Sequence, residues 1–166
     1  MILPDVLNLG LKVVFCGSAV GKVSARRGAY YAHPGNQFWG VLYRVGLTPR
    51  RLRPEEYPTL PTYGIGPTDI IKSVSGSDSE IPAEELASGS GGMDLRAKVH
   101  RFQPLALAFN GKKAAKVFLG TPNVDYGRQP DRVGASEIFV LPSTSGAARG
   151  FWDESCWEEL AQFVGR

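Results

Sequence analysis

Three short apolar runs constrain this chain more than any other feature. Leu11-Lys12-Val13-Val14-Phe15-Cys16 stops at Gly17, Pro104-Leu105-Ala106-Leu107-Ala108-Phe109 turns at Asn110-Gly111, and Glu137-Ile138-Phe139-Val140-Leu141 halts at Pro142. A strand with one wet face alternates apolar and polar residues. Runs without that alternation mark strands covered on both faces, and helical stretches lie between them here. The pattern predicts an α/β chain: a three-layer α/β/α sandwich with a central, mainly parallel sheet. Sites in such sheets form outside the carboxyl ends of the strands. Two loops leave such ends, residues 17–36 after the first strand and 142–152 after the last.

The remaining elements read as follows. Asn36 caps a helix with Trp39, Leu42 and Tyr43 on its apolar face, ending near Gly46. Pro49 to Pro61 is a charged connector with one helical turn at Pro54-Glu55-Glu56. Tyr63 to Ile71 is a loop running into a short extended piece. Residues 73–80 form a polar loop carrying solvated Asp78 and Glu80. A helix begins over Ile81–Leu86, and Ser88–Gly92 is a turn. Asp94 caps the next helix, on which Leu95, Val99 and Phe102 share a face. A further helix covers 112–119, and 120–135 is a long polar loop. The last helix starts near Asp153 and buries Trp157, Leu160, Ala161 and Val164.

The chain has 166 residues, 43% of them hydrophobic, which suits one domain over 1–166 with a real core. No apolar run approaches the ~18–20 residues of a membrane span, and no basic-then-apolar leader opens the sequence. Cys16 and Cys156 are isolated thiols, and His33 and His100 stand in no zinc-binding spacing. The expectation is an intracellular, cytoplasmic chain with no zinc site.

The net charge of +3 hides a pattern. Residues 1–53 carry eight basic groups and one acid, 54–95 one base and eight acids, and 96–136 eight bases and two acids. If the two basic segments share a face, that face can meet a polyanion; otherwise they are scattered solvated side chains.

The first loop begins Gly17-Ser18-Ala19-Val20-Gly21-Lys22-Val23-Ser24. Its spacing is neither that of a P-loop nor GxGxxG, which argues against an unrelated nucleotide-binding domain. Both a tight turn and an anion cradle of backbone N–H groups satisfy it. Further on, Tyr30 and Tyr31 sit in a Gly/Pro-rich loop. Aromatic faces beside backbone donors suit a planar, polar ligand such as a nucleobase.

Four blocks occur in the order and spacing of one family: Val13–Gly17, Tyr31-Ala32-His33-Pro34-Gly35-Asn36-Gln37-Phe38-Trp39, Tyr63-Gly64-Ile65-Gly66-Pro67-Thr68, and Leu141-Pro142-Ser143-Thr144-Ser145-Gly146. Over residues 9–164 the chain resembles the mismatch-specific uracil-DNA glycosylases, relatives of thymine-DNA glycosylase. The resemblance implies a uracil-DNA glycosylase-like fold and monofunctional excision of uracil, or of other damaged pyrimidines, from DNA. It implies entry into base excision repair, near the nucleoid, without metal or cofactor.

In that family the first motif resembles Gly-Ile-Asn-Pro-Gly, whose Asn positions the hydrolytic water. Here Ala19 takes that place, and its methyl group can neither bind nor activate water. The third block usually carries a neutral or basic residue where this chain has Asp69. The expectation is that Asp69 supplies the missing group, orienting water or stabilising the sugar cation. The other roles implied by the resemblance fall position by position. Tyr31 stacks on the flipped base. The N–H groups of Ser18 and Val20 bind the uracil carbonyl, beside Gly17, Ala19 and Gly21. Asn36 and Ser143 border the base. Lys22, Ser24 and Ser145 meet phosphates. Gly146-Ala147-Ala148-Arg149 matches the wedge that fills the gap left by the extruded nucleotide. Ala147 is a small plug, so weakened pairs and single strands should be favoured, with little dependence on an opposite guanine. A catalytically silent DNA-lesion-binding module is the alternative that Ala19 leaves open.

Overall fold

A computed structural model describes residues 2–72, 75–76 and 91–165. Five strands form one sheet in the order β2-β1-β3-β5-β4: β1 Val13–Gly17, β2 Ile65–Asp69, β3 Ala106–Asn110, β4 Gly127–Val133 and β5 Ser136–Leu141. Strands β2, β1, β3 and β5 run parallel, and β4 pairs antiparallel with β5 at one edge. The helices are α1 Lys22–Arg27, α2 Phe38–Arg44, α3 Gly91–Phe102, α4 Lys112–Leu119 and α5 Glu154–Val164; 3-10 segments span Pro54–Tyr63 and Gly146–Phe151.

The apolar runs of β1, β3 and β5 divide by alternation between two cores. Val13, Phe15, Ala106, Ala108, Phe139 and Leu141 pack with Phe38, Leu42, Trp157 and Leu160 from α2 and α5. Val14, Cys16, Leu107, Phe109, Ile138 and Val140 pack on the other face with Leu95, Val99, Ala115 and Phe118 from α3 and α4. This is the expected three-layer sandwich.

Several local expectations change. The extended piece after Tyr63 is a fully buried parallel strand, β2, despite Gly66 and Pro67. A Cβ at Gly66 would lie 2.7 Å from the Val6 carbonyl oxygen. The glycine lets the N-terminal segment cross over this strand, and Val6 N–H donates to the Pro67 carbonyl. The polar stretch 120–135 contains β4, where Pro130 is tolerated because an edge strand leaves N–H groups unpaired. Arg128 and Arg132 of β4 both pair with Glu137 of β5. The connector folds into the 3-10 segment 54–63, and the first loop contains α1. Tyr43 is 51% exposed rather than part of the buried face of α2. The Asn36 side chain accepts from Phe38 N–H at the start of α2, and Gly46 turns the chain at φ +82°. Gly91 and Gly92 open α3, with Asp94 in its first turn. The expected 73–80 loop apart from residues 75 and 76, Asp78 and Glu80 within it, the helix at Ile81–Leu86 and residues 88–90 lie outside the described residues.

The strand order reverses around β1. β2 lies on one side of it and β3 on the other, so the carboxyl ends of β1 and β3 form a topological switch point. No helix among the described residues is long and apolar enough to cross a membrane.

Candidate active site

A cavity of about 560 Å³ opens at these carboxyl ends. Its walls come from the segment after β1 (Gly17 to Ser24), the end of β2 (Asp69), the end of β3 (Asn110) and the segment after β5 (Ser143, Thr144, Ser145, Ala147, Ala148 and Phe151). Tyr30, Tyr31, His33, Asn36 and Gly76 complete it.

Asp69 is the last residue of β2, opposite Gly17 in the parallel register. It is 4% exposed. A Cβ at Gly17 would lie 2.9 Å from Asp69 Oδ1 and 3.5 Å from Tyr31 Oη. Any side chain at 17 would therefore displace the carboxylate, and the glycine is needed for this close approach. Asp69 Oδ2 is buried without a hydrogen-bond partner among the described residues. Lys72 Nζ lies 3.8 Å from it, an ion pair too long for a hydrogen bond. Burial pushes the Asp69 carboxyl up to about 7, against the opposing pull of the Lys72 ammonium. A buried carboxylate short of hydrogen bonds is costly, and such groups concentrate at functional sites.

Lys72 is itself held from behind. Its Nζ lies 2.9 Å from Asp5 Oδ1 and donates to Tyr30 Oη at 3.0 Å. Asp5 also pairs with Lys98 and accepts from the Thr68 hydroxyl. Burial raises the Asp5 carboxyl, but the hydrogen bonds from Lys98, Lys72 and Thr68 outweigh it and hold Asp5 below its ordinary value. Asp5 is thus a fixed anion that shares the Lys72 charge with Asp69. Burial also keeps the Tyr30 phenol neutral.

The backbone after β1 is pinned by continued parallel pairing. Ile70, Ile71 and Gly76 donate their N–H groups to the carbonyls of Gly17, Ser18 and Val20. Tyr31 adopts φ +52°, a left-handed conformation that non-glycine residues rarely take. Its ring stacks on Phe38 with centroids 4.0 Å apart, and the same ring borders the cavity. Two buried tryptophans brace the loops from below. Trp39 Nε1 donates to the Tyr30 carbonyl and Trp157 Nε1 to the Pro142 carbonyl.

The wall after β5 is neutral. Thr144 is fully buried and uses every polar atom: Asn110 Nδ2 donates to its hydroxyl, its N–H donates to Asn110 Oδ1, and its carbonyl accepts from Gln37 N–H. Ser145 Oγ accepts from Ala147 N–H and caps the 3-10 turn. A Cβ at Gly146 would lie 3.3 Å from the Gly35 carbonyl oxygen, so the two cavity loops meet backbone to backbone there.

Across residues 4–161 the chain matches the sequence profile of the uracil DNA glycosylase superfamily. The chain belongs to that superfamily. It is also similar to a protein from Methanosarcina acetivorans, described provisionally as a uracil DNA glycosylase and solved by solution NMR. The two share 28% identity over 99% of this chain and 97% of the other, with a TM-score of 0.65.

Within this superfamily fold, Gly17, Ser18, Ala19, Val20, Gly21, Lys22, Ser24, Tyr31, Asn36, Asp69, Ser143, Ser145, Ala147 and Ala148 all border one cavity; Gly146 and Arg149 do not. Ser24 is buried, and its hydroxyl accepts from Ala32 N–H, which braces the loop. Tyr30, read with Tyr31 as an aromatic face for a planar ligand, also borders the cavity, while sequence reading missed His33, Asn110, Thr144 and Phe151. Asn110 carried a usable signal, because it ends an apolar strand where sites of this fold class form.

Proposed function

We propose that this chain is a monofunctional glycosylase on the mismatch-specific side of the superfamily, excising uracil from DNA with Asp69 as its catalytic carboxylate. The observation that carries the reading is the buried Asp69, whose Oδ2 has no hydrogen-bond partner among the described residues, on a cavity wall that includes Ala19 where an amide is expected. Breaking the C1′–N1 bond leaves positive charge on the sugar and sends the electron pair into the base. Ionised Asp69 stabilises that cation and accepts a proton from the water that adds to C1′. The N–H groups of Ser18 and Val20 stabilise the oxygen of the departing base. Tyr31 supports the base by stacking, and Gly21 and Ser143 border it. The products are free uracil and an abasic site, the starting point of base excision repair. Monomeric action on DNA near the nucleoid belongs to the same reading.

A single-turnover assay on a G·U duplex tests the proposal. The parent releases uracil, and Asp69→Ala slows release by about 10²-fold or more. Equal rates for the two would contradict the assignment. Ala19 supports a second reading, a silent lesion-binding module, which predicts that the parent binds the duplex and releases nothing. The same assay on A·U and single-stranded substrates tests dependence on the opposite guanine, which this reading expects to be weak.

A further inference from the structure

Of the large apolar side chains left exposed among the described residues, Phe151 is one that borders the cavity. It is 70% exposed, closes the 3-10 turn that starts at Gly146, and follows Gly150, around which a Cβ would meet nothing within 4 Å. Its neighbour Trp152 is anchored: the Trp152 ring packs against Trp157 of α5, and its N–H donates to the Arg149 carbonyl. The turn itself is capped by Ser145 and tied through Thr144 to Asn110. An unburied phenyl ring is thus held out from a rigid base at the mouth of the cavity. Single exposed apolar side chains are ordinary, and what sets this ring apart is its place at the cavity mouth, where an apolar, flat surface lying over it would gain favourable burial.

We propose that Phe151 is the element that enters the DNA base stack beside an extruded nucleotide, taking the place that Ala147 is too small to fill. This rests on the proposed glycosylase reading and extends it to how the duplex is opened. The occupant is the exposed face of a base pair, which an aromatic ring covers without reading its hydrogen-bonding edge. Phe151 therefore supports extrusion from a duplex while leaving the identity of the opposite base unread.

The test compares parent, Phe151→Ala and Phe151→Trp on uracil in G·U duplex, A·U duplex and single-stranded DNA under single-turnover conditions. Phe151→Ala lowers excision from both duplexes at least about fivefold, the lower end of what base–aromatic stacking supplies. It leaves the single-stranded rate within twofold, and Phe151→Trp keeps the duplex rate. Unchanged duplex rates, or an equal loss on single strands, would overturn the proposal. A second readout does not need turnover. A duplex with a tetrahydrofuran abasic analogue and 2-aminopurine next to it reports local unstacking on binding. The parent and Phe151→Trp change its fluorescence, and Phe151→Ala binds without that change. A parent that excises nothing but changes the fluorescence through Phe151 would sink the glycosylase reading alone; the same change with Phe151→Ala would sink this one.

Discussion

The two walls of the cavity are built on opposite physical principles. The wall formed by β1, β2 and their following segments is held by buried charge: Asp69 faces the cavity, Lys72 sits behind it, Asp5 and Tyr30 hold Lys72, and Lys98 and Thr68 hold Asp5. Among the described residues, the wall after β5 is anchored without charge. Neutral hydrogen bonds from Asn110, Gln37 and Trp157 fix small side chains in place. A charged wall suits bond breaking, where charge develops. A neutral, shape-defined wall suits the opening of a base stack. The difference predicts that variants of the first wall change the chemical step and its pH dependence, while variants of the second change access and stability.

The largest effect belongs to Asp69→Asn. Excision falls about 10²- to 10⁴-fold, as expected for loss of a positioned base, and binding to abasic DNA is kept. Stability moves the other way. The raised pKa means that the folded chain takes up a proton that the unfolded chain lacks between about pH 4 and pH 7. The stability contributed by neutral Asp69 is present at low pH and is lost as pH rises through about 7. Asp69→Asn, neutral at every pH, therefore melts higher than the parent above pH 7, by roughly 2–4 °C per kcal/mol gained. A variant that loses both activity and stability would erase the distinction between the walls.

Thr144→Val comes next. It leaves Asn110 Nδ2 without its acceptor in a half-buried site, at a cost of about 1–3 kcal/mol. Thermal melting drops by several degrees, and duplex excision falls more than the intrinsic pH midpoint moves. A shifted midpoint would show that the two walls are coupled.

Lys72→Met is the smallest and the most diagnostic. Lys72 pulls the Asp69 pKa down, so its removal raises that value and moves the acidic limb of the rate profile to higher pH. The plateau rate at high pH changes less than the midpoint. A profile that keeps its midpoint would remove Lys72 from the account.

How much of this was legible in sequence follows from the same physics. β1, β3 and β5 were readable because both faces are covered and no polar residue interrupts their centres. β2 reads as a loop running into only a short extended piece, since Gly66 and Pro67 interrupt its pattern, yet the glycine is what admits the N-terminal segment above it. β4 is polar with a proline and gives no apolar signal, as an edge strand can. At the site, Asp69 stood out as a carboxylate in a block that resembles a family usually neutral or basic there. Its partner Lys72 is held by Asp5, far away in sequence, and the two meet only because the N-terminal segment crosses β2. Thr144 and Asn110 look like ordinary turn residues, and only the packing of β3 against β5 makes them one unit. Phe151 lies beside Trp152 in a run that sequence cannot divide into an anchored and an exposed ring.

The central claim is that ionised Asp69 drives bond cleavage, and the pH dependence of single-turnover uracil excision tests it most directly. For the parent, the rate rises with pH to a plateau with a midpoint near 7, and Asp69→Asn is slow with no such limb. A parent profile that is flat from pH 5 to pH 9, or an Asp69→Asn profile that coincides with the parent's, would contradict it.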